Sequence, residues 1–125
     1  MTRISILETD IMDVIRRRFK PLVKDIEAGW KGKVDTAGNE WTLKSPTIDL
    51  VLVFYLDKIA IQSFELSGDS DIYKEIDLET AEITTLPDFY KLNPRFQKEV
   101  ITISRIISKY VRSKSWRIIK RDFYK

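Results

Sequence analysis

Apolar residues near the start of the 125-residue chain recur at the spacing of an α-helix. At about 100° per residue, the apolar residues between positions 11 and 30 fall on one stripe. Gly29 is a residue type that commonly ends a helix. Pro21 lies inside the stripe, and a proline neither donates the helical hydrogen bond nor fits against the preceding turn. The pattern therefore predicts an N-terminal helix with a kink or break near Lys20.

Alternation of apolar and polar residues predicts an antiparallel sheet in the middle of the chain. Residues 32–44 are typical of a β-hairpin, because Trp41 and Leu43 alternate with polar residues and a turn sequence at 37–39 precedes them. Residues 48–56 give the strongest strand pattern, and residues 59–66 give a second long strand after a tight turn. Residues 72–85 carry scattered apolar and acidic positions, and we expect a short edge strand and a loop there.

The strand at 48–56 is unusual because the run from Leu50 to Leu56 is apolar on both faces. A strand of this kind has to be covered on both sides. Helices are expected on one face, and a second layer of the same domain or a second subunit is expected on the other. One prediction from this run is therefore a homodimer in which two copies pack through the sheet.

The clearest helix lies near the C-terminus. Asn93 is a good N-cap and Pro94 suits the first helical position. The apolar residues from Phe96 to Val111 follow one face, and we expect the helix to end near Ser113. Residues 114–125 form a basic, aromatic tail.

These elements together predict an α+β fold in one domain spanning residues 1–125. It comprises an N-terminal helix, an antiparallel meander of about four to five strands and a long C-terminal helix packed on the sheet.

Composition removes several classes of chemistry. The chain contains no Cys and no His, which excludes Ser-His-Asp and Cys-His catalysis and zinc sites built from these residues. No run of about 18 apolar residues predicts a membrane span, and no signal-peptide pattern opens the sequence, so we expect a cytoplasmic protein. Neither a phosphate loop nor a calcium loop is recognisable, and no cofactor is expected.

Two carboxylates are the remaining candidates for catalysis. Asp49 heads one long strand and Glu65 lies late in the next, so the two could approach each other across a hairpin. Paired carboxylates can hold Mg²⁺ for phosphodiester hydrolysis. In restriction-type nucleases a Lys commonly follows the second acid by two residues, and Ser67 occupies that position here. A metal-dependent nuclease is therefore only the second alternative among the functions considered, and no metal ligand is assigned.

Charge is strongly segregated along the chain. Residues 35–94 carry 4 basic and 12 acidic residues, whereas residues 95–125 carry 10 basic and 2 acidic residues. On the C-terminal helix, four of these cations fall on the side opposite the apolar stripe, and the tail adds more cations and three aromatic side chains. The predicted partner-binding residues are Lys98, Arg105, Lys109, Arg112, Trp116, Arg117, Lys120 and Arg121.

A row of cations of this kind has two interpretations. It is either an ordinary solvated helix face or a surface that meets an anionic partner. We expect a non-catalytic binding module, of the protein-interaction, inhibitor or immunity type, with an acidic protein as its partner. The first alternative is a nucleic-acid-binding module that uses the same basic helix and tail.

Overall fold

The computed structural model describes residues 17, 19–36, 40–64 and 71–113. Within these ranges the α+β class and the C-terminal helix are confirmed, and no helix is long and apolar enough to cross a bilayer. The elements are, in chain order, α1 (Lys20–Gly29), β1 (Lys33–Asp35), β2 (Trp41–Lys44), β3 (Asp49–Phe54), β4 (Lys58–Ser63), β5 (Ile72–Asp77), β6 (Ile83–Thr85), a short 3₁₀ helix (Pro87–Lys91) and α2 (Pro94–Val111).

Helix α1 starts where the sequence predicted a break. It begins at Lys20, with Pro21 in its first turn, and it ends at Gly29. A proline is tolerated there because the first helical N–H groups have no partner within the helix. The part of the predicted stripe at 11–16 lies outside the described residues.

The sheet is an antiparallel meander in which every strand pairs with its neighbours in sequence. This order was predicted, but the predicted number of about four to five strands is wrong, because the described residues already form six. The additional strand comes from residues 72–85, where an edge strand and a loop were expected. Both β5 and β6 form there, with Ile76 opposite Ile83.

The turn between β5 and β6 is stabilised by its own side chains. Asp77 Oδ1 accepts hydrogen bonds from the backbone N–H groups of Glu79 and Thr80, at 2.7 and 2.8 Å. Ala81 follows with a φ of 64°, a conformation that L-residues adopt rarely. Ser108 of α2 donates to the Ala81 carbonyl at 2.7 Å. These contacts order a segment whose polar composition is typical of a loop.

Both helices cover one face of the sheet, as predicted. Leu22 and Ile26 of α1 and Ile103 and Ile107 of α2 are fully buried. They belong to one cluster with the sheet side chains Trp41, Leu43, Leu50, Leu52, Phe54, Ile59, Ile61 and Ile76. Complete burial of one such side chain contributes roughly 1.5–3 kcal/mol, so this layer holds α2 firmly in place.

The opposite face of the sheet also contains buried side chains. Val51 alternates with the core residues of β3, and its register partner across β4 is Gln62. Val51 and Ala60 are both buried. The homodimer through this face stays a prediction.

Candidate functional site

Helix α2 and its C-cap carry four of the eight predicted partner-binding residues. The Asn93 side chain accepts a hydrogen bond from the Phe96 N–H at 2.9 Å, which caps the helix as its sequence predicts. Val100 and Val111, like Ile103 and Ile107 between them, are buried in the core. The rotation of the helix is therefore fixed, and so is the set of residues that it presents to solvent.

Four cations lie on the exposed side of α2, and we call them the basic ridge: Lys98, Arg105, Lys109 and Arg112. At 1.5 Å per residue, the ridge extends over about 21 Å. None of the four forms an ion pair with a carboxylate in the described part of the chain, where the ion pairs are Lys58 with Glu75 and Lys91 with Asp88. The ridge is therefore not used to attach α2 to the acidic sheet within these ranges.

The remaining predicted site residues are not placed. Trp116, Arg117, Lys120 and Arg121 lie outside the described residues. The structure thus brings together half of the predicted partner-binding set, and the contribution of the tail stays a prediction.

The nuclease alternative gains no support from the described carboxylates. Asp49 is exposed at the first position of β3, opposite Lys44 of β2. Glu65 lies outside the described residues, so the separation of the pair is not described. Elsewhere among the residues that the structure places, no cluster of three or more acidic side chains is arranged to hold a metal ion.

Glu99, on a different side of α2, is the centre of a polar cluster that the sequence did not predict. Its carboxylate accepts hydrogen bonds from Trp30 Nε1 and Ser45 Oγ, both at 3.0 Å, and from Thr47 Oγ1. Ser45 Oγ also accepts from the backbone N–H groups of Thr47 and Ile48, at 3.2 and 3.1 Å. One carboxylate thereby joins the end of α1, the β2–β3 turn and α2.

The Glu99 cluster is a structural feature. Three donors already satisfy its carboxylate, and the Ser45 hydroxyl is occupied by the turn that it closes. Serine acting as a nucleophile needs an adjacent general base and an approachable oxygen. Ser45 has a carboxylate neighbour, but its oxygen holds two backbone donors in place.

Lys74 is the second charged side chain that sequence analysis missed. It lies on the helix-facing side of β5, opposite Ile61, and only 7% of its surface is exposed. Its Nζ donates to Thr85 Oγ1 at 2.6 Å and lies 4.5 Å from the centre of the Phe89 ring. Burial lowers the pKa of Lys74 below its ordinary value, and the positive charge of Arg105 lowers it further.

A signal for Lys74 was present in the sequence. Ile72, Lys74 and Ile76 alternate, so a strand there places Lys74 on the same side as Ile76. The segment was expected to be an edge strand and loop, and in such a segment a lysine is an ordinary surface residue.

In comparisons with known proteins, no protein-family model, no curated protein and no solved structure matches the chain. The function therefore has to be argued from the side chains themselves. Among the described residues, the two features that stand out are the unpaired basic ridge and the buried ammonium beneath it.

Proposed function

We propose that this chain is a non-catalytic binding module whose basic ridge contacts an acidic surface of a protein partner. The observation that carries the proposal is the exposed line of four cations on α2, none of which pairs with a described carboxylate. Like charges on one helix face repel each other, so the row adds nothing to folding. An acidic partner would convert that repulsion into attraction.

The support beneath the ridge favours recognition by a rigid surface. The opposite side of α2 is anchored by fully buried side chains, including Val100, Ile103 and Ile107. A cation on such a helix keeps a fixed backbone position before and after binding, which lowers the entropy cost of association. Complementary charges also accelerate encounter between two proteins.

Charge distribution favours a protein over a nucleic acid. Residues 35–94 carry 12 acidic residues against 4 basic ones, and strands β2 to β6 lie in this part of the chain. A long polyanion is attracted by the ridge and repelled by the acidic sheet region, whereas a compact acidic protein can meet the ridge alone. The test is therefore designed to distinguish a protein partner from a nucleic acid.

The test compares two fourfold variants that remove the same charge. In the ridge variant, Lys98, Arg105, Lys109 and Arg112 are replaced by Gln. In the control variant, four exposed lysines near α1 are replaced by Gln instead: Lys20, Lys24, Lys31 and Lys33. Circular dichroism and thermal unfolding first establish that both variants keep the fold.

Each tagged protein is then used for quantitative affinity purification from cells of its own source, with and without nuclease. We expect the recovered amount of specific protein partners to fall at least about tenfold with the ridge variant and to stay the same with the control variant. A tenfold fall in affinity corresponds to about 1.4 kcal/mol of binding free energy. The strongest partner is then purified, and its Kd for all three proteins is measured at low and high salt. Because salt screens exposed charges, we expect the affinity to decrease as the salt concentration rises.

Two results would overturn the proposal. If the ridge and control variants lose the same partners to the same extent, only net charge matters and the ridge is a solvated face. If nuclease removes the captured material, and the protein binds labelled DNA or RNA with a steep salt dependence, the chain is a nucleic-acid-binding module.

A further inference from the structure

Beneath the basic ridge, Lys74 has an incomplete environment for a buried ammonium group. Its three N–H donors meet one hydroxyl oxygen, Thr85 Oγ1, and the face of the Phe89 ring. Within the described ranges no carboxylate forms an ion pair with it. A buried cation without an anion is costly, because it has given up water without receiving a full charge in return.

A second cation makes this environment less favourable. Helix α2 packs on β5 and β6, and its Ser108 donates to the Ala81 carbonyl in the turn between these strands. Arg105 is exposed about one turn before Ser108, on the stretch of α2 that lies against these strands, and its positive charge lowers the pKa of Lys74. The arrangement is electrostatically unfavourable in the isolated protein, and an anion placed beside both would reverse that effect.

We propose that Lys74 and Arg105 together form the carboxylate-binding point of the ridge, where one Asp or Glu side chain of the partner is held. Arg105 contacts the carboxylate from the surface, and Lys74 supplies a second positive charge from beneath. This inference rests on the proposed function and assigns its strongest contact. A central, desolvated charge pair of this kind dominates the affinity of many protein interfaces.

The surroundings favour a single carboxylate over a phosphate backbone. Glu79 and Glu82 are exposed on the turn that follows β5, close in sequence to Thr85. A polyanion that places a charge every few ångströms would meet these carboxylates as well as the two cations. One acidic side chain on a protein surface fits the two cations without approaching the glutamates.

The experiment observes Lys74 directly in the intact protein. In protein labelled uniformly with ¹³C and ¹⁵N, the Cε resonance of Lys74 is assigned by through-bond correlation to its own backbone and titrated against pH. The probes are a short peptide that carries a single glutamate and no other charge, and inorganic phosphate. We expect the glutamate peptide to raise the pKa of Lys74 and phosphate at equal charge concentration to leave it nearly unchanged. In Arg105→Gln the response to the glutamate peptide should be lost.

Binding measurements use a lysine on the other face of the sheet as the control. Lys58 also lies on a strand, but it pairs with Glu75 at 2.9 Å. Lys74→Met should weaken the binding of the glutamate peptide about tenfold, a loss typical of one buried charge contact, whereas Lys58→Met should leave it unchanged. Because the NMR titration uses the wild-type protein, it remains decisive even if Lys74→Met does not fold.

Three results overturn the inference, and they can be separated from failure of the proposed function. If Lys74→Met binds as the wild type does while the ridge variant does not, the ridge functions without Lys74 and the proposed function survives. If phosphate alone raises the pKa of Lys74, the ligand is a phosphate group. If neither probe affects Lys74, the site does not exist, whatever the ridge variant shows.

Discussion

Two charged side chains beside helix α2 differ in how completely the chain surrounds them. Glu99, on one side of the helix, accepts hydrogen bonds from Trp30, Ser45 and Thr47. Lys74, beneath the helix, is more buried but has one hydroxyl partner, an aromatic ring and a neighbouring cation. The chain stabilises the negative charge fully and the positive charge only in part.

This difference separates a structural role from a functional one. A charge that is satisfied by its own chain contributes to stability, and removing it leaves buried donors without a partner. A charge that remains incompletely satisfied costs stability, so its retention is easier to understand if something else completes it. On this basis Glu99 stabilises the junction of three elements, and Lys74 is the better candidate for ligand contact.

Removal of the Glu99 carboxylate is expected to give the largest effect. Glu99→Ala leaves the Trp30 indole N–H and two hydroxyl groups without their acceptor. We expect a loss of about 3 kcal/mol in the free energy of unfolding, because each donor left without a partner costs about 1 kcal/mol when it is only partly buried. Urea unfolding measures the loss. Glu82→Ala, at an exposed position, is the control and should change the free energy by less than about 0.5 kcal/mol. Equal effects would show that the Glu99 cluster is dispensable.

Disturbing the packing around Trp30 is expected to give the second-largest loss of stability. A Cβ at Gly32 would lie 2.4 Å from the Trp30 ring and 2.6 Å from the Lys44 carbonyl oxygen. Gly32→Ala should therefore displace the indole from Glu99 and cost about 2 kcal/mol. Gly29→Ala is the matched control, because its Cβ would meet only the flexible end of Ile106, at 2.8 Å. Thermal unfolding and tryptophan fluorescence compare the two, and a tolerated Gly32→Ala would contradict the geometry.

The sequence predicts what depends on neighbouring residues. Asn93, Pro94 and a stripe of apolar side chains suffice for α2 because caps and helical faces are local. Strand β6 has only three residues and pairs with β5, so its own sequence carries little signal. The Glu99 cluster could not be predicted, since its donors Trp30 and Ser45 are 69 and 54 residues away along the chain.

The candidate site was predicted in part for the same reason. The four ridge cations follow from helical phase alone, which requires only that α2 has one buried face. Lys74 joins them only through the packing of α2 on β5, and a single sequence contains no record of which strand a helix covers.

Replacing Lys74 tests the other half of the comparison. Lys74→Met removes the cost of the buried ammonium, keeps the apolar stem and leaves Thr85 Oγ1 without its donor. We expect a gain of about 1 kcal/mol in the free energy of unfolding near neutral pH. Because the folded pKa lies below 10.5, the wild type releases its proton more readily when folded, so its disadvantage should shrink as pH rises toward 10.5. A destabilised Lys74→Met with no such pH dependence would mean that Lys74 is already fully satisfied.

Lys58 forms an ion pair with a carboxylate, and replacing it should give the smallest change in the free energy of unfolding. The sign of this change should be opposite to that for Lys74→Met. Its hydrogen bond to Glu75 raises the pKa of Lys58 above 10.5. Lys58→Met should cost about 0.5 kcal/mol, as is usual for a partly exposed ion pair. This contribution is fully present below pH 10.5 and is lost as pH rises through the folded pKa, whereas the cost of Lys74 decreases over the adjacent lower range. Urea unfolding of both variants is therefore measured from about pH 8 to about pH 12. At the low end of this range, the two substitutions should change the free energy of unfolding in opposite directions. Changes in the same direction would remove the distinction between a paired and an unpaired lysine.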